Sequence, residues 1–364
     1  MHFGFQFTKE ALRDDLGVEV VQCERADIAR ELANTTVIVP LMSPLDAQVL
    51  RSARQLKLII QFGVGVEAID IPTATELGIW VSNIPSGGTG NAISCAEHAI
   101  YLMLATLRFH DAMADSIRTR RLGVPLGQSL FNKTVLSVGF GSIAKELAVR
   151  LKPFGVRVTA LRRRPWRHSA QVAAAASEQL PQHSKGESGA ADAGRQQQQQ
   201  QCLYLQHDAE LDVAAEAVLV DRGCWPADSA RLAADADIIA VTCHQDASNR
   251  GMIGSQFLSH CKPGVRIVNV ARGGLLDYEA VRVGLDSGRI AGLGLDVQEH
   301  EPVDPQHWLA QHPSVYLTPH IAGVTEMSYR NMAEVVAAAV RRVRQGQAPA
   351  RLLNDPHVAK QTMP

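Results

Sequence analysis

Thr134-Val135-Leu136-Ser137-Val138-Gly139-Phe140-Gly141-Ser142-Ile143-Ala144 is the stretch on which the reading of this chain turns. Its first five residues are mostly apolar or β-branched and predict a buried strand; the Gly-x-Gly-x-x-Ala pattern then opens a helical segment that runs to Pro153. A second apolar run, Val156 to Leu161, completes a strand-helix-strand unit. In that setting Gly139 permits a tight turn, Gly141 lets the backbone approach a pyrophosphate, and Ala144 is small enough to keep helix and sheet close. The helix N-terminus at Ser142 and Ile143 would then face the phosphates of a dinucleotide. The alternative is a tight strand-to-helix turn that binds nothing.

Working outward, the runs Ile238 to Thr242, Val265 to Val270, Gly292 to Val297 and Val315 to Thr318 predict further buried strands, giving a parallel sheet of five or six. Upstream, Thr36 to Pro40, Leu56 to Gln61 and Ile79 to Ser82 alternate with polar helical stretches and predict a second α/β layer. Between the layers a helix is predicted from Ala92 to Asp115. Its centre, Ala99 to Leu107, is too apolar for one face of a lone surface helix, which predicts burial between domains or subunits. Residues 167 to 206 break the rhythm. They are rich in Ala, Ser, Gly and Gln, include the run Gln196 to Gln201, and read as a disordered surface insertion in the coenzyme layer. Loop closure costs grow slowly with length, so the fold tolerates it.

The whole chain bounds the answer. A length of 364 residues suits two domains, and 46% hydrophobic residues supply two cores. Lys and Arg number 36 against 37 Asp and Glu, so no global field favours nucleic acid or an anionic membrane. The six cysteines lack a CxxC pair, which points away from a zinc cluster or disulfide framework and toward a reducing compartment. No run reaches membrane-spanning length and the N-terminus lacks a signal-like core, so a cytoplasmic location is expected, with organelle import left open.

Three downstream residues suit one reaction. Arg272, in Val270-Ala271-Arg272-Gly273-Gly274, ends a strand where its guanidinium fork would grip a carboxylate and polarise the adjacent carbonyl. The alternative is a surface ion pair. His320, in Thr318-Pro319-His320, would project from a loop as a general acid, and Glu301 beside it would favour the protonated ring. Taken singly, any of the thirteen histidines is a structural residue, and His98, His110 and His244 are read so. Gly63-Val64-Gly65 would offer backbone amides near Val64 and Gly65 to the same carboxylate. At the end of the second coenzyme strand stand Arg162, Arg163 and Arg164 where a ribose-binding Asp or Glu is usual. A guanidinium there complements a 2′-phosphate and favours NADP over NAD; the alternative is the solvated start of the insertion. His300, Glu301, His307 and His312 match no compact ligand set, so no metal is expected.

The segments Gly63 to Asp70, Ser94 to Ala99, the glycine loop, Asn269 to Leu275, Asp296 to Pro302 and Thr318 to Gly323, in that order across residues 35 to 340, resemble the D-isomer-specific 2-hydroxyacid dehydrogenases. The resemblance implies an α/β protein: a doubly wound Rossmann coenzyme domain at 92–323, and a discontinuous flavodoxin-like substrate domain from 1–91 and 324–364. It implies a homodimer assembled through the coenzyme domains. Carried over by position, the catalytic set falls on Arg272, Glu301 and His320, with Asp296 near the nicotinamide. Val64, Gly65 and Arg272 would hold the substrate. Gly139, Gly141, Ser142, Ile143, Arg162, Arg163, Cys243, Ala271, Asp296 and Gly323 would hold NAD(P). The implied reaction is reduction of a small 2-oxo acid such as glyoxylate or hydroxypyruvate. Phosphoglycerate oxidation and a non-catalytic NAD(P)-sensing regulator remain as alternatives. Besides Arg162 and the insertion, two departures stand out. The segment after Thr242 lacks a Pro-Leu-Thr stretch, and residues 1–7 fall short of a first strand.

Overall fold

A computed structural model describes residues 3–41, 43–166 and 211–356. The insertion predicted over 167–206 lies outside the described residues. The chain divides into two compact units, Met1–Gly90 with Thr325–Pro364, and Asn91–Val324.

In the first unit three parallel strands lie in sequential order, β1 (Val37–Ile38), β2 (Leu58–Gln61) and β3 (Trp80–Asn83). Every residue of β2 is buried, as a central parallel strand requires. Helices Ala47–Ser52 and Ile71–Glu76 start at aspartate caps, Asp46 accepting from the Val49 amide and Asp70 from the Thr73 amide. Leu32, Leu45, Leu50, Ile59, Ile69 and Val81 form the core between these elements. Residues 3–11, at the stretch that falls short of a first strand, form the helix Phe3–Ala11, which packs on helix Glu326–Arg344. Arg341 bonds Asp15 at 2.9 Å, and the Arg330 guanidinium lies 4.4 Å from the Phe7 ring centre. Near the other chain end, Asn354 accepts from the Val81 amide of β3. Both ends of the described residues are thereby built into one unit.

Among the described residues the second unit has seven parallel strands where the sequence predicts five or six: β4 (Thr134–Val138), β5 (Arg157–Arg162), β6 (Leu219–Cys224), β7 (Ile238–Val241), β8 (Val265–Asn269), β9 (Ile290–Leu295) and β10 (Val315–Leu317). Their spatial order is β10-β9-β8-β7-β4-β5-β6. The unforeseen strand is β6 at the sheet edge, where Val220, Asp221 and Arg222 alternate in and out of solvent and leave no apolar run to detect. The order reverses between β4 and β7, and this switch point is where doubly wound sheets bind ligands, beyond the carboxyl ends of the strands. Both faces of the sheet are covered. Leu136, Ile239, Val241, Ile267, Leu293 and Leu295 face one core, while Val135, Ala240 and Val268 face the other.

The long apolar helix is Asn91–Arg108, followed by a separate helix His110–Arg118, because Phe109 takes a left-handed backbone (φ 56°) and breaks the run. Expected between domains or subunits, its apolar residues lie instead in the core of its own unit. Ala96, Ala99, Leu102, Met103 and Leu107 pack with strand residues Val135 and Val268 and with Leu147 of helix Ser142–Leu151. Two strand glycines make room for it: a Cβ at Gly292 would lie 2.9 Å from Thr106 and one at Gly294 3.0 Å from Leu102. No helix among the described residues is long and apolar enough to cross a membrane.

Candidate active site

The loop after β4 has the form a dinucleotide cradle needs. Gly139 adopts φ +103°, and a Cβ there would sit 2.6 Å from the Cys243 backbone nitrogen, so only glycine fits. A Cβ on Gly141 would meet nothing within 4 Å, which is open room at the start of helix Ser142–Leu151. That helix has no side-chain cap, so its first turn, from Ser142 and Ile143, keeps a positive dipole end available to an anion. Ala144 is 1% exposed and seats the helix on the sheet. These features fit a dinucleotide pyrophosphate.

The loops after neighbouring strands join this cradle. After β7, the Thr242 hydroxyl lies 3.0 Å from Ser137 Oγ and 3.2 Å from the Gly139 carbonyl, tying the two switch-point strands together and bringing Cys243 against Gly139. Burial pushes the Cys243 thiol up to about 11, so it remains a neutral wall of the cradle. At the end of β5, Arg162 donates to the carbonyls of Arg164 (2.8 Å) and Pro165 (2.5 Å) and stacks 4.6 Å from the Trp166 ring centre. Arg163 turns across the switch point and bonds Asp246 at 2.6 Å and Ser248 at 3.1 Å. The Ser248 hydroxyl and the Arg163 guanidinium together hold the Asp246 carboxyl down at about 2. The two arginines therefore sit in different electrostatic settings.

Beyond β8, the buried Asn269 side chain accepts from the Ala271 amide and donates to the Arg272 carbonyl, shaping the turn that presents Arg272. Gly273 follows, where a Cβ would fall 2.1 Å from the Gln298 carbonyl carbon, so glycine alone lets this turn meet the loop after β9. On that loop Glu301 accepts from the Gln298 amide at 2.8 Å through Oε1, and its Oε2 lies 2.7 Å from His320 Nδ1. Burial pushes the Glu301 carboxyl up, but the His320 and Gln298 hydrogen bonds and the His320 and Arg272 charges outweigh it and hold it below its ordinary value of 4.5. An ionised carboxylate can only accept, so Nδ1 carries the proton and Nε2 is left as the exchanging atom. The pair is partly exposed, His320 at 34% and Glu301 at 24%.

Asp296, expected beside the nicotinamide, is 1% exposed and spends its oxygens on the loop after β10. It accepts from the Thr318 hydroxyl (2.6 Å) and from the amides of Ile321 and Ala322 (2.8 Å each). Gly323 closes this loop on helix Asn91–Arg108, where a Cβ would lie 2.2 Å from the Asn91 side chain. Arg272, Glu301 and His320, and the expected cofactor residues, thus share one unit, Asn91–Val324. Val64 and Gly65 belong to the other, where Gly63 has φ +148° and the Val64 carbonyl accepts from Asn83 at 2.6 Å.

Residues 100–185 and 202–322 match the family described as D-isomer specific 2-hydroxyacid dehydrogenase, NAD binding domain. The chain belongs to this family. The break in the match, between 185 and 202, contains the glutamine run. Glyoxylate reductase of Pyrococcus furiosus is 30% identical over 358 residues, covering 94% of this chain and 90% of the relative. D-3-phosphoglycerate dehydrogenase of Archaeoglobus fulgidus is 29% identical over 350 residues, covering 95% of this chain but 56% of the relative. The chain thus spans about half the length of the phosphoglycerate dehydrogenases it matches. In fold, the chain is similar to the pyruvate reductase of Chlamydomonas reinhardtii, with a TM-score of 0.74, 22% identity and 96% of each chain covered.

Sequence reasoning left two supporting residues without a role, Asn269 and Thr318, and read a third, His98, as structural. Asn269 stands inside a motif already singled out, and a buried amide side chain just before a turn signals a backbone tether. Thr318 and His98 are 220 residues apart, so nothing local announces their 2.8 Å contact.

Proposed function

We propose that this chain is an NAD(P)-dependent reductase of small 2-oxo acids, with glyoxylate or hydroxypyruvate as substrate, and that it catalyses the reverse oxidation of a D-2-hydroxy acid. The observation that carries the reading is the 2.7 Å Glu301–His320 pair, within reach of the Arg272 charge and in the same unit as the glycine cradle. A bound nicotinamide supplies or accepts the hydride. Arg272 holds the substrate carboxylate through its guanidinium fork and polarises the neighbouring carbonyl. His320 delivers the proton from Nε2 to the carbonyl oxygen, and Glu301 holds the ring by Nδ1. Of the two coenzymes NADP is favoured, because Arg162 stands at the end of β5 in place of a carboxylate. A homodimer is supported by the apolar side chains left in solvent on and after helix His110–Arg118, among them Ile117, Leu122, Leu126 and Phe131.

Absorbance assays of NADPH and NADH oxidation with glyoxylate, hydroxypyruvate, pyruvate and phosphohydroxypyruvate test the reading. His320→Gln should lower kcat by about 10²- to 10⁴-fold while cofactor affinity is retained. Wild-type turnover in that variant would sink the acid role. A second reading, oxidation of a phosphorylated 2-hydroxy acid, is favoured by the 29% identity to D-3-phosphoglycerate dehydrogenase and is chosen if only phosphohydroxypyruvate turns over. Tight cofactor binding without turnover on any of the four acids would instead mark an NAD(P)-sensing regulator.

A further inference from the structure

His320 has a left-handed backbone, φ 56°, which a residue with a side chain keeps only when its surroundings over-determine it. The restraints are visible. The His320 amide donates to the carbonyls of Asp296 (2.8 Å) and Thr318 (3.0 Å), and the next two amides donate to the Asp296 carboxylate. The Thr318 hydroxyl gives its only proton to Asp296 at 2.6 Å, so its oxygen can only accept from His98 Nε2, 2.8 Å away. That assigns the proton of His98 to Nε2, where it also lies 3.5 Å from Asp296 Oδ1. His98 is held there by the rigid helix Asn91–Arg108. Asn91, Cys95 and His98, spaced four and three apart, form one face of it, and Gly323 closes on Asn91 and Cys95.

We infer that His98 is a positioning residue for the reaction: by donating to Thr318 it locks the Thr318–Asp296 clamp that sets the backbone of His320 and so the direction of its Nε2. This rests on the acid role proposed for His320. His98 acts through Thr318 and Asp296. Its removal leaves His320 and Glu301 in place but frees the loop to relax from the left-handed conformation, and misplacement of a catalytic group by about 1 Å costs on the order of 100-fold in rate.

The test pairs kinetics with hydrogen exchange of the loop in the full-length protein without substrate or coenzyme. His98→Leu removes the donor, and His98→Gln places an amide N–H close to the position of Nε2. In His98→Leu, kcat should fall about 10- to 100-fold with little change in KM for the coenzyme, and amide exchange over 318–323 should accelerate. His98→Gln should recover most of both. Native kcat and exchange in His98→Leu, or a Gln variant no better than Leu, overturns the inference. Thr318→Val breaks the same link from the other side and gives the same two losses, so the test survives a His98→Leu protein that fails to fold. Native exchange in Thr318→Val also overturns it. Retained turnover in His320→Gln would defeat the acid role, whereas the exchange measurements judge the clamp by themselves.

Discussion

Glu301 and Arg162 show how much a residue's meaning depends on what surrounds it. Each is legible in sequence as a charged residue in a chemically suggestive place. For Glu301 the structure adds the sign of its titration: the His320 and Gln298 bonds prevail over burial and keep the carboxyl below 4.5. A depressed carboxyl contributes stability that is present above the ordinary value and is lost as pH falls through the lower folded value. Glu301→Gln should therefore remove part of the acid destabilisation, flattening the melting temperature against pH on the acid side of 4.5. An unchanged acid limb would show that the pair carries no linkage. Arg162 and Arg163 differ in their partners, Arg162 donating to the carbonyls of Arg164 and Pro165 and Arg163 to Asp246 at 2.6 Å. Loss of one charge-assisted bond, ~1.5–3 kcal/mol, should lower the NADPH-to-NADH ratio of kcat/KM by about 10- to 100-fold in Arg162→Asp. A ratio that does not move would remove Arg162 from coenzyme choice.

Among the elements, the glycine loop with its flanking strands and helix was the most legible, because turn chemistry, small residues and β-branched runs all act locally. Even so, its two glycines do different work. Gly139 is fixed by a positive φ and by the Cys243 backbone, while Gly141 faces open space. Gly139→Ala should cost about 1–3 kcal/mol in thermal melts. Gly141→Ala should stay within about 0.5 kcal/mol of the parent yet bind NADPH more weakly, as measured by fluorescence titration. Equal effects of the two variants on stability would refute this division. Strand β6 escaped detection because an edge strand need not bury both faces, and the helix break at Phe109 escaped because an apolar side chain gives no sign of a left-handed backbone.

At the scale of the molecule, the chain ends return to one unit through Arg341–Asp15 and Asn354–Val81, pairings more than 270 residues apart. The other unit leaves Leu126 at 89% and Phe131 at 63% exposure, and the proposed dimer would cover them. Sedimentation equilibrium should give twice the mass of one chain, and Leu126→Lys with Phe131→Lys should give one chain's mass with the melting transition still cooperative. A wild-type monomer would end the dimer reading. By itself the sequence determined the parallel α/β pattern, the dinucleotide cradle and the presence of Arg272, Glu301 and His320, because strand periodicity, glycine turns and side-chain chemistry are properties of neighbouring residues. The Glu301–His320 pairing was expected from sequence and its 2.7 Å geometry came from the structure, whereas only the tertiary structure decided that Asp296 serves the His320 loop and that His98 stands behind it. Those contacts join loops after different strands to a helix up to 220 residues away, and their geometry is set by packing against a shared sheet.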